Sequence, residues 1–445
     1  MTLFKAYDIR GLYPKELNED VAYKIGRAFA TFLGKKTTVA VGGDCRLSTP
    51  SLKEKFIQGL LDSGMDVVDL GMVPTPVVYF CGYNLGFAAS VEITGSHLTK
   101  EYNGMKFCGP GGIAISYDDG INKVEEIFKT GKFATGKGKL KKMDVAPQYI
   151  NYMKSFATDF SGIKVVVDGA NGAAGKIYSK VLRECGADVV EIFCEPDGNF
   201  PNHTPDPMNK EFIKELEKKV REHEADIGMA FDGDGDRLNI VDNKGSISNS
   251  NHVFSLLAKD VLKENPGGKI VHDVLCSKLV DDMIKSSGGM PITWRVGHSL
   301  IAKKCLEDNA IMAGEVSGHY FFKESNYTDD VLIACIKILK IIKEEGKNLA
   351  ELTSVFPKFF EYSDRLPIRD EKKFEFIENL KRQFEERGHD MLTMDGVRIN
   401  FENGWMLFRP SNTEPKISFG YESSDREEFE RIRSMAEKII KTIPK

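Results

Sequence analysis

The sequence predicts an α/β fold of three related α/β domains followed by a smaller C-terminal α+β domain. Three observations predict it. A strand–helix–strand unit with a glycine turn after its helix occurs three times, at intervals of roughly 105 to 125 residues. The second strands of the first two units match almost letter for letter, GMDVVD against GADVVE. The last ~85 residues abandon that pattern for two long amphipathic runs around three short apolar ones.

In the first unit, Thr37 to Gly43 reads as a strand, Leu52 to Ser63 as a helix, and Gly64 to Asp69 as the second strand. The β-branched runs supply the strands, and the glycine supplies the left-handed turn that ends a helix. In the second unit the strand is Lys164 to Asp168, the helix Gly175 to Glu184, and the next strand Gly186 to Glu191. In the third they are Lys269 to Asp273, Lys278 to Ser286 and Pro291 to Trp294. Val331 to Ile342 is apolar except for Lys337 and Lys340, too short to span a bilayer, and reads as a buried helix. At the C-terminal end, Lys372 to Arg387 and Ser424 to Thr442 read as helices. Gly396 to Phe401, Gly404 to Phe408 and Lys416 to Phe419 read as short strands.

The 445 residues suffice for roughly three or four domains. A net charge of −5 leaves no general basic surface, so nucleic acid is not an expected partner. The basic cluster Lys137 to Lys142 reads as a solvated turn or domain connector. The opening Met1-Thr2-Leu3-Phe4-Lys5 has no apolar segment behind a basic start, and no membrane association is expected. Eight cysteines at 45, 81, 108, 185, 194, 276, 305 and 335 form no CxxC pair, which suits reduced thiols in the cytoplasm.

The most informative segment is Asp232-Gly233-Asp234-Gly235-Asp236-Arg237, between the apolar strands Ile227 to Phe231 and Leu238 to Val241. Three carboxylates at a sheet edge repel one another and call for a hard divalent cation with oxygen ligands. The spacing excludes a calcium loop of the EF-hand kind, which needs Gly sixth and Glu twelfth; those positions hold Arg237 and Asn243.

Five further loops carry chemistry. Thr94-Gly95-Ser96-His97 places a hydroxyl beside an imidazole, with Lys106 ten residues on. Gly314-Glu315-Val316-Ser317-Gly318-His319 suits a hydroxyl-rich ligand, since Glu accepts from vicinal hydroxyls and His moves protons near neutrality. Arg409-Pro410-Ser411-Asn412-Thr413 offers a planar fork and neutral donors to a phosphate. Tyr7-Asp8-Ile9-Arg10 with Arg46, and Arg295-Val296-Gly297-His298, add cations and rings. Gly131 to Gly138 looks like a phosphate-binding P-loop but lacks the Ser/Thr after Lys and a following helix.

In this order the loops resemble the α-D-phosphohexomutases, and within them the phosphomannomutase/phosphoglucomutase branch, from Tyr7 to about Tyr421. The resemblance implies mixed sheets and a central active-site cleft, with domains at 1–148, 149–246, 247–360 and 361–445. It implies Ser96 as the phosphoserine, and Asp232, Asp234 and Asp236 with a Ser96 phosphate oxygen as Mg²⁺ ligands. Arg10, His97, Lys106, Arg237 and His319 would line the reacting centre, with His319 and Lys106 as general acid/base groups. Tyr7, Arg295, His298, Glu315 and Ser317 would bind the sugar, and Arg409, Ser411, Asn412 and Thr413 its non-transferring phosphate.

The implied reaction is reversible phosphoryl transfer between C1 and C6 of a mannose and/or glucose phosphate, with hexose 1,6-bisphosphate as intermediate and activator. The implied enzyme is a monomer or homodimer. Phosphoglucosamine mutase is the rival within the family, although that branch usually has Gly where Asn412 stands. A non-catalytic family member that binds sugar phosphates as a regulator is a second rival, and a metal-dependent phosphatase is the rival outside the family. Two departures stand out. The family's Ser-His-Asn-Pro reads Ser96-His97-Leu98-Thr99 here, which bears on loop rigidity, and Leu275 replaces a lysine often found in the third domain.

Overall fold

Each strand–helix–strand repeat forms in a computed structural model that describes residues 3–411 and 415–444. The strand Lys164–Asp168, the helix Gly175–Glu184, the strand Lys269–Asp273 and the helix Lys278–Ser286 keep the bounds expected from sequence. The first repeat's helix starts earlier, at Thr49, because Pro50 in its first turn needs no donor there. The turn glycines adopt positive φ: +92° at Gly64, +95° at Gly186 and +79° at Gly288. The chain falls into two units, Met1–Ser250 with His298–Leu352, and Asn251–Gly297 with Thr353–Lys445, so the third repeat lies whole in the second unit while the span 247–360 around it is divided between them.

In the first unit, one mixed sheet orders its strands Ile9–Leu12, Tyr102–Cys108, Ala89–Ile93, Thr38–Gly43, Asp66–Met72 and Leu140–Lys142. The first two joins are antiparallel and the rest parallel. The basic cluster is thus an exposed edge strand rather than a connector. Phe29, Phe56 and Phe107 are fully buried or nearly so between this sheet and the helices Glu19–Leu33 and Thr49–Asp62. Each such ring contributes roughly 2–3 kcal/mol of burial.

A second mixed sheet orders Leu238–Asp242, Ile227–Phe231, Lys164–Asp168 and Asp188–Ile192. The hairpin Met312–Gly314 with Tyr320–Phe322 completes the strands of this unit. The helix Val331–Glu345 buries ten of its residues, as its apolar run predicts, and Asp330 caps its N-terminus by accepting from Leu332 N at 3.2 Å.

The second unit contains the parallel pair Lys269–Asp273 and Met290–Trp294 and a five-stranded antiparallel sheet. That sheet runs Phe360–Pro367, Lys416–Ser423, Gly404–Pro410, Val397–Asn400 and Met391–Leu392, covered by the helices Lys373–Glu385 and Arg426–Ile440. Its first and last strands escape the sequence reading. Phe360–Pro367 is a largely exposed edge strand whose alternation of Phe360, Tyr362 and Leu366 is broken by Asp364, and Met391–Leu392 is only two residues long. Leu275, the departure from the family's lysine, packs on the apolar cluster of Val274, Trp405 and Leu407. Among the described residues no helix is long and apolar enough to cross a membrane.

Candidate active site

Two strand ends in the first unit deliver the central groups. Ala89–Ile93 runs out into the Ser96 loop, and Ile227–Phe231 runs out into Asp232. The loops touch backbone to backbone: a side chain at Gly233 would place its Cβ 2.6 Å from Ser96 O. Gly235 takes φ +75°, which lets the three carboxylates turn inward together.

Ser96 is buried and sits at φ +48°, a conformation few serines adopt. Its Oγ donates to Asp232 Oδ2 at 2.8 Å and lies 3.3 Å from His97 Nδ1. Arg46 holds the loop in place. Its guanidinium donates to the carbonyls of Ser96 (2.8 Å), Leu98 (2.6 Å), Thr99 (2.5 Å) and Tyr102 (3.0 Å), and Nε donates to Asp44 at 3.0 Å. Its face lies 5.0 Å from the Phe200 ring. Leu98 and Thr99 therefore contribute carbonyls to a clamp that is indifferent to their side chains.

The carboxylates of Asp232, Asp234 and Asp236 are fully buried, with oxygens within 4.8 Å of one another. Lys106 Nζ reaches Asp234 Oδ2 at 2.7 Å and also pairs with Asp236 Oδ2. Thr75 Oγ1 donates to Asp234 Oδ2 at 2.7 Å, and Asp232 Oδ1 accepts the backbone N–H groups of Asp236 and Arg237.

Asp234 Oδ1 and Asp236 Oδ1 remain buried and without a hydrogen-bond partner among the described residues. Orphaned acceptors of this kind cost about 1–3 kcal/mol each. An oxygen-preferring dication is the partner they fit, so the residues suit Mg²⁺. Burial, then the neighbouring charges of Asp234 and Asp236, push Asp232 well above the usual carboxylate range. Burial would also raise Asp234, but the ammonium of Lys106 outweighs it and holds that group down.

The cations divide the work. Burial alone would lower Lys106, yet its pairing with Asp234 and Asp236 holds it above the ordinary lysine range, which suits a fixed charge better than a base. Arg10 pairs with Asp8 at 2.8 Å and also donates to Thr94 O. Arg237 Nε is buried without a partner among the described residues. His97 is pulled well below its ordinary value by burial and then by Arg237 and Arg10, so its ring is neutral.

His319 sits at the mouth of the Glu315 loop, which is anchored to the metal-loop strand by Leu238 N donating to Gly318 O at 3.0 Å. Burial would lower His319, but Asp236 and Asp329 outweigh it and raise it. Its Nδ1 lies 3.0 Å from Asp329 Oδ2. His298 stacks on it at 6.0 Å between centroids, and Tyr7 meets His298 edge-on at 6.1 Å. Glu315 is buried and Ser317 half-buried in the same loop.

The first unit thus brings together Tyr7, Arg10, Ser96, His97, Lys106, the three aspartates, Arg237, His298, Glu315, Ser317 and His319. Arg295, Arg409 and Ser411 belong to the second unit. There Arg295 is exposed, and Arg409 Nη2 pairs with Asp395 at 3.2 Å. Asn412 and Thr413 lie outside the described residues.

Asp329 escapes the sequence reading. It stands beside the helix cap Asp330, and Asp329-Asp330 before an apolar run reads as capping alone. Asp44 and Thr75, which brace Arg46 and Asp234, carry no sequence signal of their own.

Four family models match in order. They are described as phosphoglucomutase/phosphomannomutase alpha/beta/alpha domains I, II and III, over residues 1–135, 147–245 and 249–359, and a C-terminal domain over 365–439. A phosphomannomutase/phosphoglucomutase of Pseudomonas aeruginosa is 39% identical over 446 residues, spanning 99% of this chain and 96% of the relative. A phosphoglucomutase of Neisseria gonorrhoeae is 37% identical, spanning 99% and 97%. The crystal structure of a phosphoglucomutase/phosphomannomutase family protein from Burkholderia thailandensis superposes with a TM-score of 0.91 at 36% identity, covering 99% of this chain and 98% of that one.

Proposed function

This chain belongs to the phosphoglucomutase/phosphomannomutase family, and from that premise we propose that it is a phosphohexomutase. It interconverts the C1 and C6 phosphates of a hexose, mannose and/or glucose, through phosphoserine at Ser96 and a hexose 1,6-bisphosphate that also serves as activator. The observation that carries this is the Ser96 hydroxyl, 2.8 Å from Asp232 in a backbone conformation fixed by Arg46.

The residues then have these roles. Phosphorylated Ser96 gives its phosphoryl group to the free hydroxyl of a hexose monophosphate. The P–O bond to Ser96 breaks, a P–O bond to the sugar forms, and the hydroxyl proton passes to a base in the site. His319, tied to Asp329, is the proton carrier. Lys106, Arg10 and Arg237 neutralise charge on the transferring group and align it. Bound at Asp232, Asp234, Asp236 and a phosphoserine oxygen, Mg²⁺ supplies further charge neutralisation. Neutral His97 orients the Ser96 oxygen.

Glu315 and Ser317 read sugar hydroxyls, with Tyr7, His298 and Arg295 beside the sugar. Arg409, Ser411, Asn412 and Thr413 hold the phosphate that stays behind. After the bisphosphate turns around, the same residues accept its other phosphate. We assign the Ser96 loop to a domain at 1–148, the metal loop to 149–246, the sugar loop to 247–360 and the phosphate loop to 361–445. Eight cysteines without a disulfide fit a cytoplasmic enzyme, acting as a monomer or homodimer.

The test compares purified protein on glucose 1-phosphate, mannose 1-phosphate and glucosamine 1-phosphate, with peptide mass analysis for phosphate on Ser96. Turnover of the first two above the third is expected, together with partial phosphorylation. A trace of hexose 1,6-bisphosphate should restore any dephosphorylated fraction, and Ser96→Ala should bind substrate with almost no turnover. A fully active Ser96→Ala enzyme would overturn the mechanism, and glucosamine 1-phosphate as the best substrate would move the enzyme to the phosphoglucosamine branch.

A further inference from the structure

Beside the carboxylate triad lies a second group of ligand-type atoms that the proposed mechanism leaves without a shared partner. Asp329 Oδ2 is 3.0 Å from His319 Nδ1 and 3.7 Å from His298 Nδ1, and His319 Nδ1 is 4.0 Å from Asp236 Oδ1. Asp236, His319 and Asp329 each point one ligand atom into a space where all three atoms lie within 4.8 Å of one another. All four atoms are buried; Asp236 Oδ1 and His298 Nδ1 have no hydrogen-bond partner among the described residues, and His319 Nδ1 and Asp329 Oδ2 meet only each other. Their residues are at most 9% exposed. Two orphans converging on a buried His–Asp pair point to a common ligand.

We propose that Asp236, His319, Asp329 and His298 form a second metal site, selective for an imidazole-preferring transition-metal dication such as Zn²⁺ and distinct from the Mg²⁺ site. The ligand chemistry separates the two. Asp232, Asp234 and Asp236 offer only hard oxygen, whereas this group offers two nitrogens and two oxygens, a set that suits Zn²⁺ and Co²⁺ over Mg²⁺. The spacing agrees. Metal–ligand bonds of 2.0–2.2 Å in a tetrahedron set ligand atoms about 3.3–3.5 Å apart, and the observed separations bracket that range.

The two carboxylates offset the ion's charge, while Lys106 and Arg237 nearby limit its affinity. Lys106 grips Asp236 by Oδ2, so Oδ1, which also faces the Mg²⁺ site, is the oxygen the two sites share. Occupancy removes His319 as a proton carrier and makes Asp236 Oδ1 a bridge between the two ions. The site is therefore inhibitory, and excess zinc slows the enzyme without displacing magnesium.

The experiment titrates Co²⁺, and then Zn²⁺ as its displacer, into intact Mg²⁺-saturated protein, reading visible absorption rather than turnover. One equivalent with the intense bands of a four-coordinate nitrogen–oxygen site is expected. His298→Ala and Asp329→Asn, checked for fold by circular dichroism, should each weaken Co²⁺ binding about tenfold or more, and Asp234→Asn should leave it within about threefold.

The wild-type protein gives an independent reading that no misfolded variant can spoil. Raising Mg²⁺ about 100-fold should leave the Co²⁺ affinity nearly unchanged. A proportional fall would mean that both ions share the carboxylate triad, which overturns the proposal. So would the absence of Co²⁺ binding, retention of binding in His298→Ala with loss in Asp234→Asn, or thiolate charge-transfer bands marking a cysteine site.

Discussion

Ser96 and Arg409 are positioned in opposite ways. Around Ser96, one guanidinium bonds four backbone carbonyls, Asp44 bonds that guanidinium, and the neighbouring carboxylates are fully buried. Around Arg409, Nη2 meets Asp395 at 3.2 Å and Nε has no partner among the described residues. Ser411 is held by its backbone, with N donating to Lys416 O at 2.9 Å and O accepting from Lys373 Nζ at 2.8 Å. The difference teaches how a mutase divides its labour. The group that reacts must be placed to within a few tenths of an ångström, so its scaffold is over-determined. In the proposed mechanism, the group that grips whichever phosphate is not reacting serves two orientations of one substrate, and a single ion pair leaves Arg409 that tolerance.

The largest expected effect tests the rigid side. Asp234→Asn removes a charge that pairs with Lys106 and accepts from Thr75, and it weakens the Mg²⁺ ligand set. Turnover should fall about 10³-fold or more and calorimetric Mg²⁺ affinity should drop, with the melting temperature little changed. Undiminished turnover after exhaustive chelation would remove the metal from the argument.

Arg46→Lys comes next. A lysine keeps the charge but cannot fork to four carbonyls, and the loss of about 2–4 kcal/mol of alignment should lower kcat roughly 10²-fold. KM should stay within a few-fold, because the Arg46 guanidinium is taken up by the loop carbonyls, Asp44 and Phe200. The reverse pattern, with KM raised and kcat intact, would show that the clamp shapes binding instead.

Arg409→Ala probes the tolerant side. Loss of its fork should cost about 2–3 kcal/mol of binding, a rise of roughly thirtyfold to 150-fold in KM for glucose and mannose phosphates alike. A kcat effect as large as that of Arg46→Lys would erase the contrast between the two regions.

The repeats, the metal loop and the helix after Asp330 were legible because each depends on local pattern. Period-2 and period-3.6 apolar runs, turn glycines and alternating Asp-Gly all act within a dozen residues. What was not legible depends on separation in sequence. Arg46 meets Thr99 across 53 residues, and Asp234 meets Thr75 across 159. Asp329 reaches His319 and His298 only once the hairpin and two helices are packed. The strand Phe360–Pro367 was invisible for a different reason: its apolar side, Phe360, Tyr362 and Leu366, is interrupted by Asp364 and stays largely exposed at the sheet edge.

The smallest expected effect asks whether the second unit also tolerates unpaired charge. Glu422 lies on the strand Lys416–Ser423, beside the strand that carries Arg409, and is 2% exposed. Burial pushes its carboxyl up to about 7, although the backbone N–H of Lys278 (2.7 Å) and the Ser277 hydroxyl (3.0 Å) both donate to it. Its ordinary value is 4.5, so between those values the folded chain holds more protons than the unfolded one. Stability contributed by that proton is present below about pH 4.5 and is lost as pH rises through 7. An amide stays neutral and keeps the oxygen that accepts from Ser277 and Lys278. Glu422→Gln should therefore match wild type near pH 5 and exceed it by about 2–3 kcal/mol at pH 8. The measurement is urea unfolding of the full chain at several pH values, read by tryptophan fluorescence, because Trp294 and Trp405 are the only two tryptophans and both lie in this unit. An equal pH slope in wild type and variant would mean that Glu422 stays ionised in the fold, and that the second unit, like the transfer centre, pairs its buried charges.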